Sequence, residues 1–352
     1  MKTLRYIFFI ILLTAATTYV YSQSWDMFFD KGKEHYDKGN FEKAIENFEL
    51  YLKYETTNPK AEAKQLLEQA KKRLAEKADT QTNAEQVAQA DITQPTEKPS
   101  TKVTEQSTQA EQPHEEYFIE TALGLNMKMI YVEGGTFMMG ASSGDSDAND
   151  WEKPAHQVTL DSYYIAEFEV TQSQWEIVMG TTIYQQNEKS DYKGLYGVGD
   201  NYPMYHVNYE EAEEFCRKLS RLTGKNYVLP TEAQWEFAAL GGNKGKNNNY
   251  KYSGSNSIDA VAWHEENSGD RHHRVGKKQA NQLRIYDMSG NVWEWCSDWF
   301  SSYSSNNQSE ARVARGGGYC YDAKYCRIAC RVSQFPSIRG CDYGFRVVCI
   351  PE

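Results

Sequence analysis

The chain lacks a basic surface. Against 49 Asp and Glu it sets only 38 Lys and Arg, a formal charge of −11, whereas a protein that neutralises phosphates needs clustered cations. Nucleic acid is therefore excluded as a partner. A long apolar run is also missing: residues 7–13, the most apolar stretch, fall well short of the ~20 residues that span a bilayer. With Lys2 and Arg5 before this stretch and Val20 and Ser22 after it, residues 1–22 read as a secretory signal peptide cleaved near Ser22. The mature chain is expected in the periplasm or outside the cell, with no membrane span, in a compartment where disulfides persist. No cysteine follows the cleavage region to carry a lipid. All seven cysteines lie beyond it, and an odd number leaves at least one thiol free or paired to another chain. Nor does a second His/Cys cluster accompany His272-His273, which reads as a solvated loop.

What the chain does have falls into three regions. Residues 23–77 show apolar positions at helical spacing, Phe28, Tyr36, Phe41, Ala44, Ile45, Phe48 and Leu52, interrupted at Gly39-Asn40. Phe28, Gly32, Ala44 and Phe48 make the pair resemble one tetratricopeptide repeat capped by a third helix. A single unit of that kind does not bury a continuous core, so it reads as a small docking or dimerisation module for a protein partner or for itself. Residues 78–115 are mainly Gln, Thr, Glu, Ala and Pro with no Phe, Trp or Tyr, the composition of a disordered linker.

Residues 116–352 turn to aromatics, glycines and short alternating runs. "MIYVEGGTFMMG" and "HQVTLDSYYIAEFEV" alternate as half-buried strands do. Thr171 with Gln174, Asn208 with Glu211 and Thr231 with Gln234 are spaced as capping boxes and predict three helix starts. Beyond Gly254 only loops and short strands are expected, giving an α+β domain with much irregular structure. Irregularity on that scale needs ions or crosslinks to hold it.

Four segments in this region, "MIYVEGGTFMMG", "YPMYHVNYEEAEEFCRKLSRLTGKNYVLPTEAQWEFAALGG", "YDMSGNVWEWCSDWF" and "ARVARGGGYCYDAKYCRIACRVSQFPSIRGCDYGFRVV", together resemble the sulfatase-modifying-factor, or formylglycine-generating-enzyme, family. The resemblance implies a variant of the C-type lectin fold stabilised by calcium. At "DMSGNVWEW" the family's calcium ligands map to the carboxylates of Asp287 and Glu294 and the carbonyls of Gly290 and Val292, an oxygen set that suits a hard cation. The family's second calcium site finds no counterpart in the basic "ENSGDRHHRVGKK".

Active members of the family hold copper between two cysteines near the end of the domain, a soft-ligand site, and oxidise a cysteine in a Cys-x-Pro-x-Arg segment to formylglycine. Gapless alignment of Gly316-Gly317, Tyr325 and Arg331 sets Cys326 on the second of those cysteines and Tyr321 on the first. Cys320 stands one position early, and in an extended strand that shift reverses the side chain's face. The serine that follows the two glycines in active members is Gly318 here, while Trp293 matches the pocket's tryptophan. If the chain is active, Cys320, Cys326 and Trp293 carry the chemistry, and copper is its cofactor. The family also suggests disulfides Cys296–Cys326 and Cys216–Cys349, leaving Cys320, Cys330 and Cys341 unpaired by sequence. The preferred expectation is a secreted, non-catalytic binding or envelope-assembly module, with a copper-dependent oxidase as the alternative. Its protein or peptide ligand would meet Tyr319, Tyr321, Tyr325, Arg327, Arg331 and Arg339, residue types that dominate interfaces. Some proteins of this fold diversify the same segment through retroelements.

Overall fold

A computed structural model of the chain describes residues 29, 32–33, 35–54, 60–88, 115–190, 192–304 and 309–351. The expected signal peptide lies outside the described residues. The chain divides into two compact units, Met1–Pro113 and His114–Glu352.

In the first unit two helices, α1 (Phe41–Tyr54) and α2 (Ala61–Ala88), follow a turn at Gly39, whose φ of +70° is open to glycine at no steric cost. Phe29, Ala44, Phe48, Tyr51, Ala63, Leu67 and Ala70 are buried. A side chain at Gly32 would stand 2.6 Å from the Phe48 ring, so close packing accounts for that glycine. Helix α2 runs to Ala88, past the linker boundary expected at residue 78, because Ala, Glu and Gln there are strong helix formers. The rest of the expected linker, apart from residue 115, lies outside the described residues.

The second unit is α+β. Strands β1 (Tyr117–Glu120), β2 (Met127–Val132), β5 (Tyr163–Ala166), β6 (Asn226–Val228) and β11 (Val348–Ile350) form an antiparallel sheet in the order β1-β2-β5-β11-β6. A ribbon pairs β3 (Gly135–Met139) with β4 (His156–Leu160). A second sheet has the order β10-β7-β8-β9, built from β7 (Trp293–Trp299), β8 (Arg312–Arg315), β9 (Arg331–Gln334) and β10 (Tyr343–Gly344). The three expected helix starts are present as full capping boxes opening α3 (Gln172–Met179), α5 (Tyr209–Thr223) and α6 (Glu232–Ala239). A fourth, Thr182 with Gln185, opens α4 (Ile183–Lys189).

The "GFRVV" segment, which reads as one buried last strand, is divided between sheets. Gly344 pairs beside β7 and Val348 beside β5 and β6. Between them the fully buried Arg346 donates to both oxygens of Glu294, 2.7 Å each.

That pair belongs to a wider pattern. Arg315, Arg327 and Arg331 are buried as well. Arg331 forks onto Glu232 at 2.6 Å through two nitrogens, and Arg327 reaches Glu152 and Asp145. Arg315 hydrogen-bonds Glu236 and lies 2.9 Å from Glu232, out of line for a hydrogen bond there. The irregular half of the domain is thus held by charge-assisted pairs, which fix geometry because each buried charge is costly unless paired.

Candidate functional site

Strand β8 delivers the chain to Gly316 and Gly317, whose φ angles of +99° and +79° turn it sharply. A side chain at Gly317 would stand 2.7 Å from the Cys326 sulfur, so Cys326 is sealed beneath the glycine. The following residues form turns and a short 3₁₀ stretch, Ala323–Cys326, not a strand. The alternation that would reverse the face of Cys320 therefore does not apply. Cys320 is exposed in the turn, close enough that its charge bears on Cys326.

The position of the family's first cysteine is filled by the Tyr321 ring. It packs edge-on against Trp293, with centroids 5.5 Å apart, and against Tyr325 at 5.7 Å. Its hydroxyl donates to Asp342 Oδ2 at 2.6 Å. Gly318 faces this ring and Trp293 with no side chain of its own. Trp293 is buried and its Nε1 has no partner.

Neither thiol is prepared as a thiolate. Burial pushes the Cys326 thiol well up, with the charges of Cys330 and Cys320 adding to the effect. Burial, Asp342 and Cys341 raise Cys320 to about 12. Copper takes two adjacent soft sulfur ligands; the Tyr321 ring stands beside Trp293 where the first would be, and Cys320 lies out in the exposed turn, so the residues present do not fit it.

The residues expected to hold calcium do not form a cage either. Asp287 is buried with Oδ2 accepting from the Gly276 amide at 2.6 Å and Oδ1 without a partner, and burial lifts its carboxyl to about 6. Glu294 is already committed: Arg346 takes both oxygens, and Trp235 Nε1 donates to Oε2 at 2.7 Å. Gly290 and Val292 stand in the turn just ahead of β7. A further buried acid on which the Asp287 charge bears is Glu169, a residue the sequence reading missed. It is buried, held by Asn291 at 3.0 Å and pushed well above the usual carboxylate range by burial and by Asp287. Among the described residues no group of three or more His, Cys, Asp or Glu gathers as a metal site.

All seven cysteines are free; Cys296 packs in the cluster of Trp235 and Val313, while the 3₁₀ turn carries Cys326 to Tyr252 and Val261. Cys216 and Cys349 share the cluster of Trp175 and Phe345 as unbridged thiols. The expected ligand surface also shrinks. Tyr319, Arg327 and Arg331 are buried, the arginines because their carboxylate partners lie inside. Tyr321, Tyr325 and Arg339 stay half-buried, Arg339 bonded to Glu211 at 3.1 Å.

His272 is not in a solvated loop. It is buried against Tyr205 and Tyr319 with neither ring nitrogen partnered, and burial together with His206 and His273 lowers its pKa to about 3. Exposed apolar residues missed by sequence lie nearby: Phe335 is 58% and Tyr192 56% exposed. Ser190 Oγ donates to Arg339 O at 2.6 Å and the Tyr196 ring lies 5.7 Å from Tyr319, which sets residue 190 beside 339 and residue 196 beside 319. A separate cleft of about 820 Å³ lies between β3 and residues 246–251; Trp293, Tyr321 and Cys326 do not line it.

Residues 117–350 match the family described as Sulfatase-modifying factor enzyme 1-like domain. Chaperone protein LppX of Paenibacillus barcinonensis is 33% identical over 270 residues, covering 62% of this chain and 88% of its own length. Formylglycine-generating enzyme of Streptomyces coelicolor is 28% identical over 289 residues, covering 62% and 87%. Among solved structures, Treponema denticola variable protein 1 superposes with a TM-score of 0.55 at 29% identity, covering 65% of this chain and 96% of that one.

Proposed function

Since the chain belongs to the sulfatase-modifying factor enzyme 1-like family and has its α+β, C-type-lectin-like fold, we propose that it is a non-catalytic member, a secreted module that binds a protein or peptide partner. The observation that carries this reading is the Tyr321 ring in the pocket beside Trp293, tied to Asp342. A phenol there leaves Cys326 without the second thiol of a copper pair. The relative named a chaperone agrees with a role in binding polypeptide.

The face we assign to the partner joins the exposed turn at Cys320 and Asp322, the half-buried Tyr321 and Tyr325, and the exposed Phe335 and Tyr192. Exposed apolar groups gathered on one face mark interaction sites. The helical unit supplies a second docking surface, for a protein or for another copy, and the mature chain starts after Ser22 in the periplasm or outside the cell.

The test is to incubate the full chain with copper, oxygen, a reductant and a Cys-x-Pro-x-Arg peptide. The peptide mass is expected to stay unchanged. Conversion of its cysteine to formylglycine overturns the reading and restores the oxidase.

A further inference from the structure

Cys320 and Cys341 are brought together by the backbone on either side of the β7 start. Tyr319 N donates to Asn291 O at 2.9 Å, and Trp293 N donates to Asp342 O at 2.8 Å. Tyr319, the residue before Cys320, and Asp342, the residue after Cys341, are thereby tied to the backbone of Asn291 in the turn ahead of β7 and of Trp293 at its first position. The side chains repeat the link, because the Tyr321 hydroxyl, one residue after Cys320, donates to the Asp342 carboxylate. The charge of Cys341 bears on Cys320, and both thiols bear on the Tyr319 hydroxyl.

The remaining cysteines are poor competitors. Cys326 and Cys330 are buried, while Cys320 is exposed and Cys341 half-buried. Access to an external oxidant selects the second pair.

We propose that Cys320 and Cys341 form a disulfide that clasps the turn carrying Tyr321 to the turn carrying Asp342. Cys320, on losing its proton to solvent, attacks a small disulfide such as oxidised glutathione, forming a mixed disulfide and releasing one glutathione thiolate. Cys341, deprotonated to solvent, then displaces the second glutathione thiolate. Two electrons pass to glutathione, and the protein loses two protons. An exposed bridge of this kind is readily reversed by reducing thiols. The inference is independent of the proposed function, since it holds whether or not this face binds a partner.

Trypsin separates all the thiols concerned: residues 316–324 hold only Cys320, 340–346 only Cys341, and Cys326 and Cys330 fall in peptides of their own. The full chain is equilibrated with oxidised glutathione, alkylated without reduction, digested and mapped by mass spectrometry. Peptides 316–324 and 340–346 are expected as one linked species, abolished by Cys341→Ser and retained in Cys326→Ser. The count of free thiols in the unfolded, oxidised chain should fall by two. Linkage of Cys320 to Cys326, or full alkylation of Cys320 after oxidation, overturns the proposal. Should Cys341→Ser fail to fold, the exposed Cys320→Ser change tests the same link.

Discussion

At the scale of single residues, the decisive groups are charged side chains in places where sequence gives them no reason to be. Arg346 is in a run that reads as apolar strand, and its partner Glu294 is 52 positions away. Nothing local announces such a pair, just as nothing local pairs Arg331 with Glu232 or Arg327 with Glu152. Composition pointed these arginines outward because Arg is seldom buried without a partner, and the partners are contributed by distant loops. Arg346→Met removes the cation and leaves Glu294 buried with only Trp235 to satisfy it. The expected loss is about 3–5 kcal/mol of unfolding free energy, measured by denaturant titration; a loss below about 1 kcal/mol would mean that the pair is dispensable. Gly290 gives a second residue-level prediction. Its φ is +82° and a Cβ there would strike the Trp263 backbone carbonyl. The left-handed backbone alone costs an alanine about 1–2 kcal/mol, so Gly290→Ala should lower the melting temperature by several degrees. An unchanged melting temperature would show that this turn relaxes freely.

Elements were legible where a local rule writes them and illegible where the chain only turns. Three capping boxes are readable because the cap and its reciprocal side chain sit three residues apart, and the strand pairs of residues 127–139 and 156–166 follow from period-two alternation. The segment 316–326 obeys neither period. An extended reading sets Cys320 and Tyr321 on opposite faces, whereas Gly316 and Gly317 bend the segment into turns to which that alternation does not apply. Helix α5 offers the element-level test. Asn208 accepts from the Glu211 amide at 2.9 Å, and the helix buries Tyr209, Ala212, Phe215 and Leu219. Asn208→Ala should cost about 1 kcal/mol, read as a lower denaturation midpoint with an unchanged slope. A changed slope would mean that the cap governs more than one helix end.

Across the second unit as a whole, irregular loops need long-range ties, and the free thiols of the described cysteines place that work on ion pairs and hydrogen bonds. One tie joins the two outer strands of the five-stranded sheet. Glu120 on β1 accepts from Lys225 Nζ at 2.6 Å, from the Tyr227 hydroxyl on β6 at 2.8 Å and from the Ala122 amide at 3.1 Å. Burial pushes the Glu120 carboxyl up, but the Lys225 ammonium, the Ala122 amide and the Tyr227 hydroxyl outweigh it and leave its pKa below the ordinary glutamate value. The unfolded chain then binds this proton more readily than the folded one, so the contribution to stability is complete above the ordinary glutamate range, near 4.3, and disappears as pH falls through the lower folded value. Glu120→Gln cannot ionise and lacks that dependence. Unfolding free energies of the two proteins are expected to differ most at neutral pH, with the natural chain more stable, and to converge in acid below that range. A difference that stays constant across the acid range would show that Glu120 acts by packing alone, and that the clasp between the outer strands is not ionic.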